Sequence, residues 1–352
     1  MSLKAFVKTQ ILKLNFNKNR KKNIFDENHS ELYKLNADAE KGCNNSYYFS
    51  GHSQNGQNII IRLGERGQAN SETWFAYSDL NGANYICAHQ DAEKDQTMIA
   101  VSCIEPGKRW KIQYSGGITP GTITPQNIWR NPKGIRVIPT VFEGEFTASM
   151  PIFDFSTHMD SKGFVSAIAH EKWSKKFFEQ FSQNNQVYYE QQGRLKGVLN
   201  LSGKKTEIDM FSFRNHSFGK RDWNSMDRHI RLCALTENDQ LLSINMVGNT
   251  LIKELQSGYI AYKDKTNCLD SCTSMKTIGI DGNIPNKFDI MAKFVDGRKT
   301  VIRCEKQSVF EFLLDNGNYT IFEGIARFDI NGTKAYGIIE FGYNADSSRW
   351  LR

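Results

Sequence analysis

The stretch Tyr188 to His229, YYEQQGRLKGVLNLSGKKTEIDMFSFRNHSFGKRDWNSMDRH, gathers more kinds of reactive side chain than any other part of the 352-residue chain. Arg214, Asn215, His216 and Ser217 follow the apolar residues Ile208, Phe211 and Phe213, and Arg221, Asp222 and Trp223 come directly after. An imidazole can donate, accept or transfer a proton near neutral pH. A carboxyl group in an apolar pocket can stay protonated and act as a strong general acid. His216, Asp222 and Glu190 are therefore the candidate acid–base groups. Asp222 has a competing reading as an ion-pair partner of Arg221 or Arg214, ionised and useless as an acid. Arg214, Asn215, Phe213, Trp223, Trp74 and Trp110 are the candidate ligand contacts, because small-molecule pockets are mostly apolar with a few convergent polar groups. On a strand, Arg214 and His216 share a face with Ser212, while Asn215 shares the other with Phe211 and Phe213. They need not all reach one pocket. Asp227 and His229 also alternate onto one face and read as structural.

Other chemistries lack their motifs. There is no G-x-G-x-x-G or G-x-x-x-x-G-K-[ST], so neither a dinucleotide nor a P-loop enzyme is supported. Ser217 has no G-x-S-x-G elbow around it. Cys268 and Cys272 resemble half a zinc site, but no second pair completes it, and His29, His52, His89, His158 and His170 show no ligand spacing. No metal or cofactor is expected.

The elements that must position these residues read as β structure. Hydrophobic residues make up 39% and charged residues 24%; Gly is plentiful (27) and Pro scarce (7). Six Asn/Asp-Gly pairs, at 55–56, 81–82, 281–282, 296–297, 316–317 and 331–332, supply the positive φ angles of tight hairpin turns in both halves. Ser202-Gly203 reads as another turn. Residues 118–140 hold four of the prolines and read as a long loop, a lid over a barrel mouth. Residues 161–181 space Phe164 and Ile168, then Trp173, Phe177 and Phe181, at intervals of four, predicting one helical connector.

The net charge of +7 is local. Seven basic residues and no acidic ones lie in 1–25; without them 38 basic residues face 38 acidic ones. A nucleic-acid protein carries its basic patch on the folded domain, so nucleic-acid binding is not expected. Leu3, Phe6, Val7, Ile11 and Leu14 fall at helical spacing. Three readings stay open: a helix docked on its own domain, a basic amphipathic helix on an anionic membrane surface, or a targeting segment. There is no secretory core and no run long enough to span a membrane. Seven scattered cysteines suit a reducing compartment. The expected location is cytoplasmic, with a membrane-peripheral alternative.

The segments Tyr189-Glu190-Gln191-Gln192-Gly193, Arg214 to Trp223 and Glu340-Phe341-Gly342 resemble the double-barrel, lipocalin-like group of AttH-type proteins and carotenoid hydratases. With Tyr47 to His52 and Glu105 to Trp110 added, the chain resembles most closely the N-terminal region of animal proteins labelled phosphoenolpyruvate synthases. None of their phosphotransfer domains is here, so no phosphotransfer is carried over. The resemblance covers about residues 40–345. It implies an all-β chain of two tandem lipocalin-like antiparallel barrels, with an apolar isoprenoid or lipid ligand. The divisions expected are a basic amphipathic segment at 1–30, a first barrel at 31–155, a helical connector at 156–185 and a second barrel at 186–352. Hydratases of the group have Asp where this chain has Asn215, and Trp where it has Phe218. Asn cannot serve as an acid, so binding or carriage of the ligand in a barrel is the first expectation. A hydratase, isomerase or cyclase of an isoprenoid or polyene is the alternative.

Overall fold

The computed structural model describes residues 8–12, 25–36, 38–68, 71–87, 91–92, 98–124, 136–182 and 186–351. The rest of the basic segment and residues 125–135 of the proline-bearing stretch lie outside the described residues.

Eleven strands make the first sheet: β1 (Cys43–His52), β2 (Asn58–Arg66), β3 (Ser71–Ser78), β4 (Asn84–Cys87), β5 (Asp91–Ala92), β6 (Ile99–Glu105), β7 (Arg109–Pro120), β8 (Ile138–Ala148), β9 (Phe153–Asp154), β10 (Val187–Leu201) and β11 (Lys204–Lys220). The path β11-β1-β2-β3-β4-β7-β8-β10 returns on itself because β10 also pairs with β11. The second sheet is a closed barrel of β12 (Met226–Thr236), β13 (Gln240–Asn249), β14 (Leu255–Tyr262), β15 (Lys265–Cys272), β16 (Lys287–Phe294), β17 (Lys299–Leu314), β18 (Tyr319–Ile330) and β19 (Thr333–Asn344) in sequence order. The chain is thus all-β with two tandem barrels, as expected. All six Asn/Asp-Gly glycines have positive φ, between 80° and 92°. Ser202 and Gly203, at φ 50° and 95°, make the turn between β10 and β11.

The barrel boundary differs from expectation. The sequence reading put 186–220 in the second barrel, but β10 and β11 pair with β8 and β1 of the first. The first barrel can close only when its last strand reaches its first, and β11 does this with Tyr47 opposite His216. The link between barrels is therefore the short turn after β11, which contains a 3-10 helix at Trp223–Ser225. The helical region lies between β9 and β10, inside the first sheet's sequence. It is also two helices, α2 (Ser161–His170) and α3 (Lys175–Ser182), preceded by a shorter α1 (Glu27–Glu31). The break comes where Glu171 turns extended, Trp173 Nε1 donates to the Ile168 carbonyl, and Ser174 Oγ accepts from Phe177 N. The expected loop is shorter as well, since Ile118 to Pro120 belong to β7 and Ile138 to Pro139 to β8.

The helical turn at 8–12 docks on the chain itself. Leu12 packs with Ile168, Phe177 and Ile252, and the Lys8 ammonium donates to the Glu171 carbonyl at 2.6 Å and sits over Trp173. No helix among the described residues is long and apolar enough to cross a membrane.

Strand alternation sorts the core into layers. Ile230, Leu232 and Ala234 of β12 join Leu242, Ile244, Met246, Phe294 and Phe341 in an apolar filling of the second barrel. The alternate residues His229, Arg231 and Cys233 turn to the first barrel, where Arg231 lies over Tyr48 and Phe213. Between the barrels Trp74 stacks on Phe312 at 4.2 Å and Phe153 on Tyr259 at 3.9 Å.

Candidate functional site

Two buried polar clusters lie on opposite faces of β10 and β11. The first is inside the first barrel and centres on Glu31 of α1. Arg214 donates to both its oxygens, Nη1 to Oε1 at 3.0 Å and Nη2 to Oε2 at 2.8 Å. Trp110 Nε1 and Gly107 N each donate to Oε2 at 2.9 Å. The Arg214 Nε–H and the second Nη2 hydrogen go to Gln191 Oε1, whose amide donates onward to the Gly107 and Met150 carbonyls. Asn45 Nδ2 donates to Glu65 and Tyr47, so its Oδ1 faces His216 Nε2 as an acceptor at 2.7 Å and the ring proton is assigned to Nε2. The Tyr189 hydroxyl then stands between two acceptors, Glu31 Oε1 at 2.6 Å and His216 Nδ1 at 2.5 Å. Burial, reinforced by Arg214, pushes the His216 pKa well below the usual histidine range and keeps the ring neutral. Arg214, His216 and Trp110 are thus brought together, but around the chain's own Glu31.

The second cluster lies between the barrels. Glu190 of β10 is wholly buried and accepts from Tyr188 OH at 2.6 Å and Ser243 Oγ at 2.7 Å; the Tyr259 hydroxyl also bonds to it. Arg231 approaches Glu190 Oε1 and Glu340 Oε2, each at 3.8 Å. With its amide turned to put Oδ1 toward the guanidinium, Asn215 accepts from both Arg231 nitrogens, at 3.1 and 2.9 Å. Glu340 Oε1 lies 2.6 Å from His229 Nε2, and His229 Nδ1 lies 2.6 Å from Tyr319 OH. Glu323, directly across from Glu340 on β18, accepts from Tyr48 OH at 2.5 Å. Its Oε2 meets no donor among the described residues. A proton there resolves the conflict, because Glu323 then donates to Glu340. Burial and the neighbouring Glu340 push the Glu323 pKa well above the carboxylate range. Glu340, bonded by His229 and facing Arg231, is held well below it despite burial. One carboxylic acid and its carboxylate partner thus sit side by side, as like charges at close range dictate.

Two cavities adjoin this layer, and neither is inside a barrel. The larger, about 390 Å³, has an apolar wall that includes Ile152, Phe153, Leu241 and Tyr259, with His158, Lys263 and Asp264 also lining it. Its size falls within the range of small-molecule sites. His158 Nδ1 accepts from Asp154 N at 3.1 Å, which leaves the ring proton on Nε2. The smaller, about 30 Å³, is lined by His52, Ser212, Phe213, Cys233 and others. Gln192 and Leu241 line both.

Of the residues singled out by sequence, Glu190, Asn215 and Phe213 therefore meet around Arg231. Asp222 does not join either cluster: it is exposed and caps the 3-10 turn by accepting from Asn224 N at 3.0 Å. Arg221 lies over Trp223 at 4.9 Å, and Trp223 stacks on Tyr319 at 5.3 Å. Trp74 is 1% exposed and is interface core. Sequence reasoning missed Glu31, Arg231, Glu323, Glu340 as a charged group, Tyr259, and His158. For Glu323 and Glu340 a signal exists: each is the single charged residue of a mainly apolar seven-residue run, TIFEGIA and GIIEFGY. Among the described residues no His, Cys, Asp and Glu side chains gather into a metal-holding group.

Solved structures with the same architecture are similar to this chain at low identity. An AttH protein from Nitrosomonas europaea is 11% identical with a TM-score of 0.53, over 85% of this chain and 92% of its own. Kievitone hydratase from Nectria haematococca is 11% identical with a TM-score of 0.50, over 92% and 97%. CghA is 7% identical with a TM-score of 0.53, over 91% and 92%. At such identities the likeness is one of fold, and it bears out the resemblance to the AttH and hydratase-like double barrels. Nothing supports the link to phosphoenolpyruvate synthases. No curated protein matches the chain. A family model described as a domain of unknown function, DUF7064, matches residues 33–345, and the chain belongs to that family.

Proposed function

We propose that this protein carries out proton-transfer chemistry, of the hydratase, isomerase or cyclase kind, on an apolar small molecule held in the cleft between its barrels. The observation that carries the reading is the paired acid and carboxylate, Glu323 and Glu340, in a buried layer that reaches the 390 Å³ cleft through Glu190 and Tyr259. Adding a proton to an alkene needs an acid kept protonated in apolar surroundings, and this layer keeps one. The Tyr259 hydroxyl, beside Glu190, and Nε2–H of His158 are proton-bearing groups on the cleft wall, together with Lys263. Arg231, which keeps its charge against burial through the carboxylates beside it, sets the field around Glu190. Carriage inside a barrel, the first sequence expectation, is less well supported, because the second barrel is filled by aliphatic and aromatic side chains and the end of the first by the Glu31 network. That kievitone hydratase shares the fold adds to the enzyme reading without identifying a substrate. The seven cysteines, none of them in a disulfide, suit a reducing compartment, and the cytoplasm is proposed as the site of action.

The test is to incubate the purified protein with an apolar cell extract in heavy-oxygen, deuterated water and to follow label by mass spectrometry. A component that gains deuterium, with or without heavy oxygen, supports the reading. Tyr259→Phe and Glu190→Gln should each slow labelling by about 100-fold, the usual scale of one acid–base contribution. A compound bound stoichiometrically and recovered unlabelled supports carriage and overturns the enzyme reading.

A further inference from the structure

The smaller pocket holds two polar groups that no described residue meets. His52, at the end of β1, is 8% exposed. Its Nδ1 lies 2.9 Å from Asn58 Oδ1, and Asn58 Nδ2 donates to the Gly56 carbonyl at 2.6 Å. Asn58 thus shows its oxygen to the ring, and the ring proton sits on Nδ1. Nε2 is a bare lone pair, shut off from solvent and without a partner among the described residues. Gln192 is 4% exposed, and its Oε1 is likewise shut off and without a donor. Two other polar groups of the pocket are already engaged: Ser212 Oγ donates to the Ser50 carbonyl, and Thr236 Oγ1 accepts from Asn238 N and Gln240 N. Burial lowers the His52 pKa to about 4, so the ring is uncharged, and raises that of Cys233, so the thiol stays protonated.

A buried acceptor left without a donor costs about 1–3 kcal/mol, and native folds rarely leave two in one place. Both unmet groups accept, so the missing partner is a donor. The pocket's volume of about 30 Å³ is that of a single water. Gln192 also lines the larger cleft, so whatever binds here stands at the edge of the site for the apolar molecule.

We propose that this pocket is a binding site for one water molecule, whose two O–H bonds donate to His52 Nε2 and Gln192 Oε1; a ligand that carries a hydroxyl can displace it, its single O–H then donating to His52 Nε2. Where the inference touches catalysis it rests on the hydration form of the proposed function. In that form the pocket holds the water that adds. Its oxygen bonds to one alkene carbon, and His52 Nε2 takes the proton it sheds. A proton-bearing group of the cleft wall, Tyr259 or His158, gives a proton to the other carbon, so one proton enters the substrate as one leaves the water.

The experiment is nitrogen NMR of the His52 ring in the intact protein, with phenol and toluene as probes of equal size that differ in the O–H. Wild type without a probe should show Nε2 at the position of a hydrogen-bonded acceptor, which identifies the water. Phenol should move that signal and toluene should not. Gln192→Leu, checked for an unchanged fold, removes one of the water's two acceptors and should shift the Nε2 signal of the probe-free protein toward the bare-nitrogen position. A bare-nitrogen signal in wild type, with phenol and toluene acting alike, overturns the proposal. If the O–H site is seen but no label enters any compound from heavy water, the pocket stands and the hydration reading falls.

Discussion

The two faces of β10 and β11 bury carboxylates in opposite ways. On the inner face, Glu31 receives two N–H groups of Arg214, the Trp110 indole, a backbone N–H and the Tyr189 hydroxyl. Every charge there has a partner from the chain, and α1 is pinned across the barrel. On the outer face three carboxyl groups, Glu190, Glu323 and Glu340, share one Arg231, and one must stay protonated. A saturated cluster holds a structure together. An under-compensated one stores a proton and leaves acceptors open. The difference teaches that the most motif-like residues, Arg214 and His216, serve architecture, while the chemistry is better sought one residue away on the same strands.

The sharpest way to break this comparison is Arg214→Met. It leaves Glu31 charged and buried with nothing to pair it, so denaturant unfolding should show a loss of about 3–5 kcal/mol. A loss under about 1 kcal/mol would mean the inner cluster is not the structural one. Next comes the asymmetry of the outer pair. Glu340→Gln removes the carboxylate that His229 and Arg231 face and should cost about 3 kcal/mol. Glu323→Gln copies the protonated acid, donating to Glu340 and accepting from Tyr48, and should cost less than about 1 kcal/mol. Equal losses for the two variants would contradict the assigned proton.

A smaller effect is expected from pH. His52 is neutral when folded, with its pKa lowered from 6.5 to about 4. A lowered pKa gives stability that is present above pH 6.5 and is lost as pH falls toward 4. The shift corresponds to roughly 3 kcal/mol at full effect. His216 acts in the same direction. Glu323 acts in the opposite one, its contribution being lost as pH rises through its elevated pKa. The denaturant midpoint should therefore fall between pH 6.5 and 4, and His52→Gln should flatten that fall. A midpoint as steep in the variant as in wild type would show that His52 is not buried neutral.

Much of this protein is determined by local sequence alone. Asn-Gly and Asp-Gly pairs need positive φ, and every one of the six is a turn with that geometry. Alternation separated Arg214 and His216 from Asn215 and Phe213, and the barrels keep them on opposite faces. Gly193 is legible only as a weak strand residue, yet a Cβ there would come within 2.3 Å of the Thr147 carbonyl, a close approach set by β8. Tertiary structure alone decided the rest. Ring closure assigned β10 and β11 to the first barrel, because a barrel's last strand must find its first whatever lies between. Long-range pairing decided the partners too: Glu31 meets Arg214 across 183 residues and Tyr48 meets Glu323 across 275. A side chain's charge state inside a protein depends on such neighbours and on burial, and neither is written in the spacing of residues along the chain.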